Sequence, residues 1–284
     1  MVSRANRSDN TRISCIMDAK EVVVMIKEDI RIGMVGIPVA DPIKESEFYR
    51  NLFGLSETLE NAANHPLRFL KTDFTEEKTF EHLALKVRSR AELGRILRRL
   101  INLQIPILGA IDHGYAESIY LNDPEKNVIE IASLRDAQEW YDEFGQIKDS
   151  SSPFDYSGVY YAAEAEDAID DSGISVAICH IVLNVPDLDK ARHFYEQAMG
   201  FAVRSEKKGK ALLLTASQCH HQIGLAATKK ISKASAVFSI SYPVCESLMQ
   251  TIERIRGKGF LVNESEKGYL VTDPFGNMIY LVLG

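Results

Sequence analysis

The chain has 284 residues, 45% of them hydrophobic and 26% charged, with a formal net charge of −7. That length suits two ordinary domains with a core in each, and the composition is that of a globular protein. The acidic balance excludes a phosphate-binding stripe, so no nucleic-acid partner is expected, and no apolar run approaches the roughly 20 residues of a membrane span.

Residues 1–30 carry several Arg and Ser but no apolar stretch ahead of a small-residue cleavage site, and they read as a loosely ordered tail. The four cysteines, Cys15, Cys179, Cys219 and Cys245, contain no CxxC pair, so neither a zinc ribbon nor a disulfide framework is expected. Reduced thiols and a cytoplasmic location are the corresponding expectation. Cys179 and Cys219 read as small buried strand residues.

From Ile32 the chain runs Ile-Gly-Met-Val-Gly-Ile-Pro-Val-Ala-Asp, then a helical stretch that includes Phe48-Tyr49 and closes at Gly54. From Ile178 it runs Ile-Cys-His-Ile-Val-Leu-Asn-Val-Pro-Asp, then a helical stretch with Phe194-Tyr195 that closes at Gly200. This is one pattern used twice: a strand, an Asp that can cap the next helix, a Phe-Tyr pair for the core and a closing Gly. A second unit follows in each half. The strand Phe80–Val87 precedes a helix from Ser89 to Leu103, with Leu93, Ile96, Leu97 and Leu100 at helical spacing. Strands then lead to Glu130. In the second half Val237–Tyr242 precedes a helix around Ser247 to Lys258, and strands lead to Tyr280. Asp-Pro turns at Asp123 and Asp273, each with an Asn four residues on, mark the same place twice.

The expected class is α+β: four βαβββ modules of roughly fifty residues forming two domains. The first half spans 31–133 (modules one and two), an acidic aromatic connection 134–173, and the second half 174–284 (modules three and four). Trp140, Tyr141, Tyr156, Tyr160 and Tyr161 make the connection too aromatic for a bare linker, so it is expected to pack across the domains.

Strand alternation singles out particular polar residues. Leu83, Leu85 and Val87 share one face of their strand, and Ile181, Leu183 and Val185 share one face of its counterpart. His82 and His180 are left on the opposite faces. Tyr120 likewise points away from Ile119 and Leu121, and Glu130 away from Ile129 and Ile131. A lone strand histidine is more often hydrogen-bonded or exposed than a ligand, and that reading is kept for His65 and His193.

In its repeat and in the segment from Asp112 to Glu130, where a His, a Tyr and a Glu follow in order, the chain resembles the vicinal oxygen chelate superfamily. That group holds the glyoxalases, the bleomycin resistance proteins and the extradiol dioxygenases. The resemblance covers about residues 31–133 and 175–284, and is greatest to two-domain catechol 2,3-dioxygenase-like ring-cleaving members. It implies metal ligands on the first strands of two paired modules and a Glu on the last strand of one. On that rule the first half offers Met34, His82 and Glu130, and the second offers His180, Val237 and Tyr280. Neither set is complete. Joining His82 and Glu130 with His180 gives two histidines and one carboxylate, a facial triad suited to Fe(II), with Mn(II) as the alternative. This requires modules two and three to share the metal cup while modules one and four pair with each other.

The resemblance further implies that His221, in the stretch Gln218 to Ala226 on the last strand of module three, is the acid–base residue. His220 would point to the other side of that strand. His113 and Tyr120 would hydrogen-bond the substrate. Lys126 stands at a turn position where the family has Gly. The implied activity is extradiol opening of a small aromatic diol with O2, in a chain compatible with a homo-oligomer. A glyoxalase-like or thiol-transferring metalloenzyme, or a metal-free protein that binds a small molecule, are the rivals on the same scaffold.

Overall fold

The computed structural model describes residues 30–55, 65–73, 80–144, 148, 150–166, 173–217, 219–229 and 235–284. The tail read over 1–30 (except Ile30), Cys15 and Gln218 therefore lie outside the described residues. The first half builds β1 (Arg31–Val39), α1 (Pro42–Phe53), β2 (Leu67–Lys71), β3 (Phe80–Val87) and α2 (Arg90–Asn102). It continues with β4 (Ile107–Asp112), β5 (Ala116–Asn122) and β6 (Val128–Leu134). The connection holds a 3-10 turn (Ala137–Trp140), the short β7 (Ser152–Pro153) and α3 (Tyr156–Glu166). The second half opens with β8 (Ala177–Val185), α4 (Leu188–Arg192), β9 (Ala202–Lys207), β10 (Ala211–Thr215) and β11 (Ile223–Ala227). It ends with β12 (Val237–Tyr242), α5 (Cys245–Gly257), β13 (Val262–Ser265), β14 (Gly268–Thr272) and β15 (Met278–Leu283).

Strands of the two halves are mixed in two sheets. One runs β13-β14-β15-β12-β1-β2 and the other β7-β4-β5-β6-β3-β8-β11-β10-β9. In the larger sheet β3 lies antiparallel to β8, with Leu83 opposite Ile181 and Ala84 opposite His180. In the smaller one β1 lies antiparallel to β12, with Val35 opposite Phe238. The second unit of the first half thus joins the first unit of the second, as the histidine distribution predicts. The faces carrying Leu83, Leu85, Ile181 and Leu183 are buried in one apolar cluster that runs through both halves.

Local chemistry fixes the helices as the repeat suggests. Asp41 and Asp187 accept from the amides of Lys44 and Lys190, three residues on, and so cap α1 and α4. Ser89 caps α2 through the amide of Glu92 at 3.2 Å. Gly54 and Gly200 close the first helix of each half at φ 64° and 87°, where a side chain would be strained. A guanidinium from the next helix covers each closure: Arg99 donates to the Leu52 carbonyl, and Arg254 to those of Ala198 and Met199. One expectation is corrected. The α-helix before Gly200 stops at Arg192 and widens into a π turn over His193–Ala198, where the Met199 amide bonds the Phe194 carbonyl five residues back.

The Phe-Tyr repeat also acquires a physical meaning. Tyr49 and Tyr195 are fully buried, and their hydroxyls donate to Asp123 (3.4 Å) and Asp273 (2.8 Å), the residues that open the two Asp-Pro turns. Each Asp in turn accepts from the amide of the Asn four residues on, at 2.7 and 2.8 Å. The core tyrosine therefore anchors the turn ahead of the last strand of each half. Lys126 sits in the first turn with φ 65°, the left-handed conformation that Gly276 adopts at φ 93° in the second. The turn forms the same backbone hydrogen bonds with Lys as with Gly, so the departure from the family residue leaves the turn intact.

The connection folds against the first half. Helix α3 lies so close on α2 that a Cβ on Gly94 would come within 2.2 Å of the Val159 carbonyl oxygen. The Arg98 guanidinium lies 4.6 Å from the centre of the Tyr160 ring. Trp140 is buried against Tyr115, Ala116 and Ala132. No helix among the described residues is long and apolar enough to cross a membrane.

The Asp123 turn carries a buried acid. Glu45 accepts from the Glu125 amide at 2.9 Å through one oxygen, while its other oxygen has no partner among the described residues. Burial, and then the charge of Asp123, push its carboxyl up to about 8. The folded chain holds this proton between the ordinary carboxylate range and about 8, whereas the unfolded chain has released it. Stability therefore falls as pH rises through that window. We predict that Glu45→Gln flattens the fall and raises the melting temperature at pH 8.5 by several degrees, as read by calorimetry between pH 5 and 9.

Candidate metal centre

Register across the nine-stranded sheet sets one row of side chains on one face. Tyr120 of β5 lies opposite Glu130 of β6, Glu130 opposite Ala84 of β3, and Ala84 opposite His180 of β8. His82 stands two residues before Ala84 and so shares its face. Ala84 is fully buried at the centre of the row. Its single methyl leaves the space above it to the longer side chains on either side.

Those side chains converge. The His82 and His180 Nε2 atoms lie 3.0 Å apart. The Glu130 Oε2 atom lies 3.2 Å from the first and 3.3 Å from the second. Donors about 2.1 Å from an ion are about 3.0 Å apart when cis on an octahedron and about 3.4 Å apart on a tetrahedron. The triangle is therefore already the size a transition-metal ion requires, and its donor set suits Fe(II) or Mn(II). His180 and Glu130 are 3% and 2% exposed.

Outer partners hold two of the three. The Ser118 hydroxyl donates to Glu130 Oε1 at 2.7 Å. The Glu81 carboxylate contacts His82 Nδ1, which turns Nε2 toward the cup, the arrangement common behind metal-bound imidazoles. Burial alone would raise the Glu130 carboxyl, but His180 and His82 outweigh it and hold the group well below the usual carboxylate range. Burial opposes charge on His82 as well. Its hydrogen bonds to Glu130 and Glu81 prevail and push the imidazole up to about 9. Burial lowers His180.

The other predicted residues surround this triangle. The His221 ring centre lies 4.0 Å from that of His180. His113 Nε2 lies 3.0 Å from the Tyr120 hydroxyl, and the Tyr120 ring stands edge-on to His82 at 6.0 Å. Burial and the charge of Glu130 raise the Tyr120 phenol far above its usual range, so it stays protonated. Burial, then His180 and His220, hold His221 well below the usual imidazole value, so it is neutral at pH 7.

Placement on the strand differs from expectation. Strand β11 begins only at Ile223, so His220 and His221 sit in the loop before it rather than on opposite strand faces. Their Nδ1 atoms lie 2.6 Å apart. Cys219 shares the loop, beside Ser217 and Thr215, and so is not a strand residue. Cys179 does lie in a strand, and burial pushes its thiol up to about 12.

Two residues that the sequence did not single out hold that loop. Tyr115 stacks on His220 with ring centres 3.7 Å apart and planes within 11°. Gln222 accepts from the Ala216 amide at 2.7 Å and donates to the Ile30 carbonyl, which spans the loop and ties it to the start of β1. A closed circuit of ring contacts then runs His113, Tyr115, His220, His221, His180, His82, Tyr120 and back to His113. His65 and His193 lie elsewhere, one accepting from the Leu67 amide and the other bonded to Gln197.

The family model described as Glyoxalase/Bleomycin resistance protein/Dioxygenase superfamily matches residues 177–281. A catechol-2,3-dioxygenase of Bacillus subtilis (strain 168) is 33% identical over 207 residues, covering 68% of this chain and 70% of that protein. The crystal structure of a candidate dioxygenase from Bacillus subtilis subsp. subtilis str. 168 superposes with a TM-score of 0.58 at 12% identity, over 90% of this chain and 86% of that one. Glyoxalase I from Zea mays superposes with a TM-score of 0.50 at 13% identity, over 90% and 92%. At those identities the superpositions speak to the fold alone.

The raised imidazole has a measurable consequence. At pH 7 His82 carries a proton that a metal ion must displace. Apparent Mn(II) affinity is therefore predicted to rise about tenfold per pH unit from 7 until it levels near 9. Glu81→Gln should move the break to lower pH, because one of the two carboxylates that hold the proton is gone. Calorimetric titration across this range checks both, and a flat profile for the wild type would contradict the assignment.

Proposed function

We propose that this chain, which belongs to the glyoxalase/bleomycin resistance protein/dioxygenase superfamily, is an extradiol dioxygenase that opens a catechol-type ring with O2 at a non-haem Fe(II). His82, His180 and Glu130 would hold the ion. The observation that carries the reading is the 3.0–3.3 Å triangle of two imidazole nitrogens and one carboxylate oxygen, drawn from both halves of the chain. Two histidines and one carboxylate on a single face would hold the ion from one side and leave its other side open to substrate. The relative named as a catechol-2,3-dioxygenase supports the same chemistry.

When bound, the metal supplies the Lewis acidity that acidifies a diol hydroxyl and the redox capacity that dioxygen chemistry needs. The remaining steps fall to this chain's own groups. Glu130 keeps its negative charge in a buried site because two imidazoles and the Ser118 hydroxyl face it. A neutral His221 can accept the proton of the second diol hydroxyl, and its Nδ1 contact with His220 gives that proton an onward path. Tyr120 remains a phenol and, with His113 3.0 Å away, offers hydrogen bonds to the substrate oxygens. His180, His220 and His221 in the circuit are buried, which strengthens the interactions they make.

Oxygen uptake by Fe(II)-reconstituted protein with catechol tests the proposal. The expected result is one O2 consumed per catechol with a yellow ring-opened product, and none with His180→Ala. His221→Ala should retain iron yet lose about 10²- to 10⁴-fold in kcat, the usual worth of a positioned acid–base group. Iron-loaded wild type that consumes no oxygen with catechol or substituted catechols would refute the reading.

A further inference from the structure

The loop that carries His220 and His221 belongs to the second half of the chain, but the ring that meets it belongs to the first. Tyr115 and His220 are 6% and 7% exposed, and their stack at 3.7 Å and 11° is the closest and flattest ring pair among the described residues. The χ2 torsion of a histidine has broad wells, so its own rotamer preference does not fix the plane of the imidazole. A parallel ring laid against it does.

Tyr115 is itself held firmly. It follows Gly114, whose φ of 80° turns the chain between β4 and β5. The Gly114 amide donates to Asp112 Oδ1 at 2.8 Å, and the Arg135 guanidinium forks onto the same carboxylate at 2.7 and 2.9 Å. The Arg135 amide then donates to the Tyr115 carbonyl at 2.9 Å. Trp140, buried in one cluster with Tyr115, donates its indole N–H to the Arg135 carbonyl at 2.7 Å. The stacking ring is therefore mounted on a turn tied down from two sides.

The stack has a consequence one residue further on. His220 Nδ1 lies 2.6 Å from His221 Nδ1, and a bond between two neutral imidazoles needs a proton on one nitrogen and a lone pair on the other. While that bond is kept, His221 Nδ1 is engaged and Nε2 is the nitrogen left for the cup, where its ring lies 4.0 Å from that of His180. We propose that Tyr115 is a positioning residue. Its ring, stacked on His220, holds the Nδ1 bond between the two histidines, so that His221 presents Nε2 to the substrate. The catalytic consequence rests on the dioxygenase reading; the bond itself does not.

The test compares Tyr115→Phe, which keeps the ring, with Tyr115→Leu, which removes it. The first measurement is nitrogen NMR of the full chain with labelled histidine. The expected result is a coupling between the two Nδ1 atoms across one shared proton, present in the wild type and Tyr115→Phe and lost in Tyr115→Leu. The second is turnover of catechol by the Fe(II)-loaded chain. Tyr115→Leu should lose about 10²-fold in kcat with KM little changed, the usual effect of a small misplacement, while Tyr115→Phe stays close to wild type. Mn(II) affinity should be the same in all three, which separates this loss from damage to the metal cup. His220→Phe keeps the stack but removes its Nδ1, and should lose kcat as Tyr115→Leu does, even where Tyr115→Leu does not fold. No coupling in the wild type, a coupling that survives in Tyr115→Leu, or wild-type kcat in His220→Phe would overturn the proposal. The coupling needs no turnover, so it decides the positioning role even where the dioxygenase reading fails.

Discussion

The antiparallel pairing of β3 with β8 is the constraint on which the rest of the molecule depends. It joins strands 98 residues apart at the two histidines, through the register that sets Ala84 opposite His180. Because side chains alternate along a strand, a slip of one residue would send His82 or His180 into the apolar cluster and Leu83 or Ile181 into the cup. The apolar faces of both strands therefore specify the face of the polar site: burying Leu83, Leu85, Ile181 and Leu183 turns both imidazoles to the side that Glu130 occupies.

A carboxylate is buried at the centre of the larger sheet. Glu130 is only 2% exposed, yet its carboxyl is held well below the usual range because two imidazoles and a serine hydroxyl face it. Such a group would be strongly destabilising alone. The same cup that invites a cation is thus held together, without one, by a proton on His82 shared among acceptors. Under the proposed function, metal binding would exchange that proton for an ion. The smaller sheet shows the alternative solution to the same geometry, with the uncharged Met34, Val237 and Tyr280 at the three matching positions.

Much of this was legible in the sequence, for identifiable reasons. The capping residues Asp41 and Asp187, the closing glycines and the Asp-Pro turns obey local rules, and the structure uses them as the rules state. His82, His180 and Glu130 stood out because each breaks the apolar run of its strand on one face. What was not legible depends on contacts between distant strands. Ala84 matters only because its neighbours across the sheet are Glu130 and His180. Ser118 and Glu81 matter only through the atoms they touch, and Tyr115 only because the His220 loop folds over it. The strand expected to carry His221 failed for a local reason: Gln222 bonds the Ala216 amide and the Ile30 carbonyl, which holds the pair of histidines in a loop and delays β11 to Ile223.

The central claim is that one cup, built by both halves, holds a metal, and that its counterpart does not. Crystals of the full chain soaked in Mn(II), with an anomalous difference map collected near the manganese edge, test it directly. The account predicts one peak about 2.1–2.3 Å from His82 Nε2, His180 Nε2 and Glu130 Oε2, and none beside Met34, Val237 and Tyr280. A peak at the second cup, or an empty first cup in protein saturated with Mn(II), would contradict it.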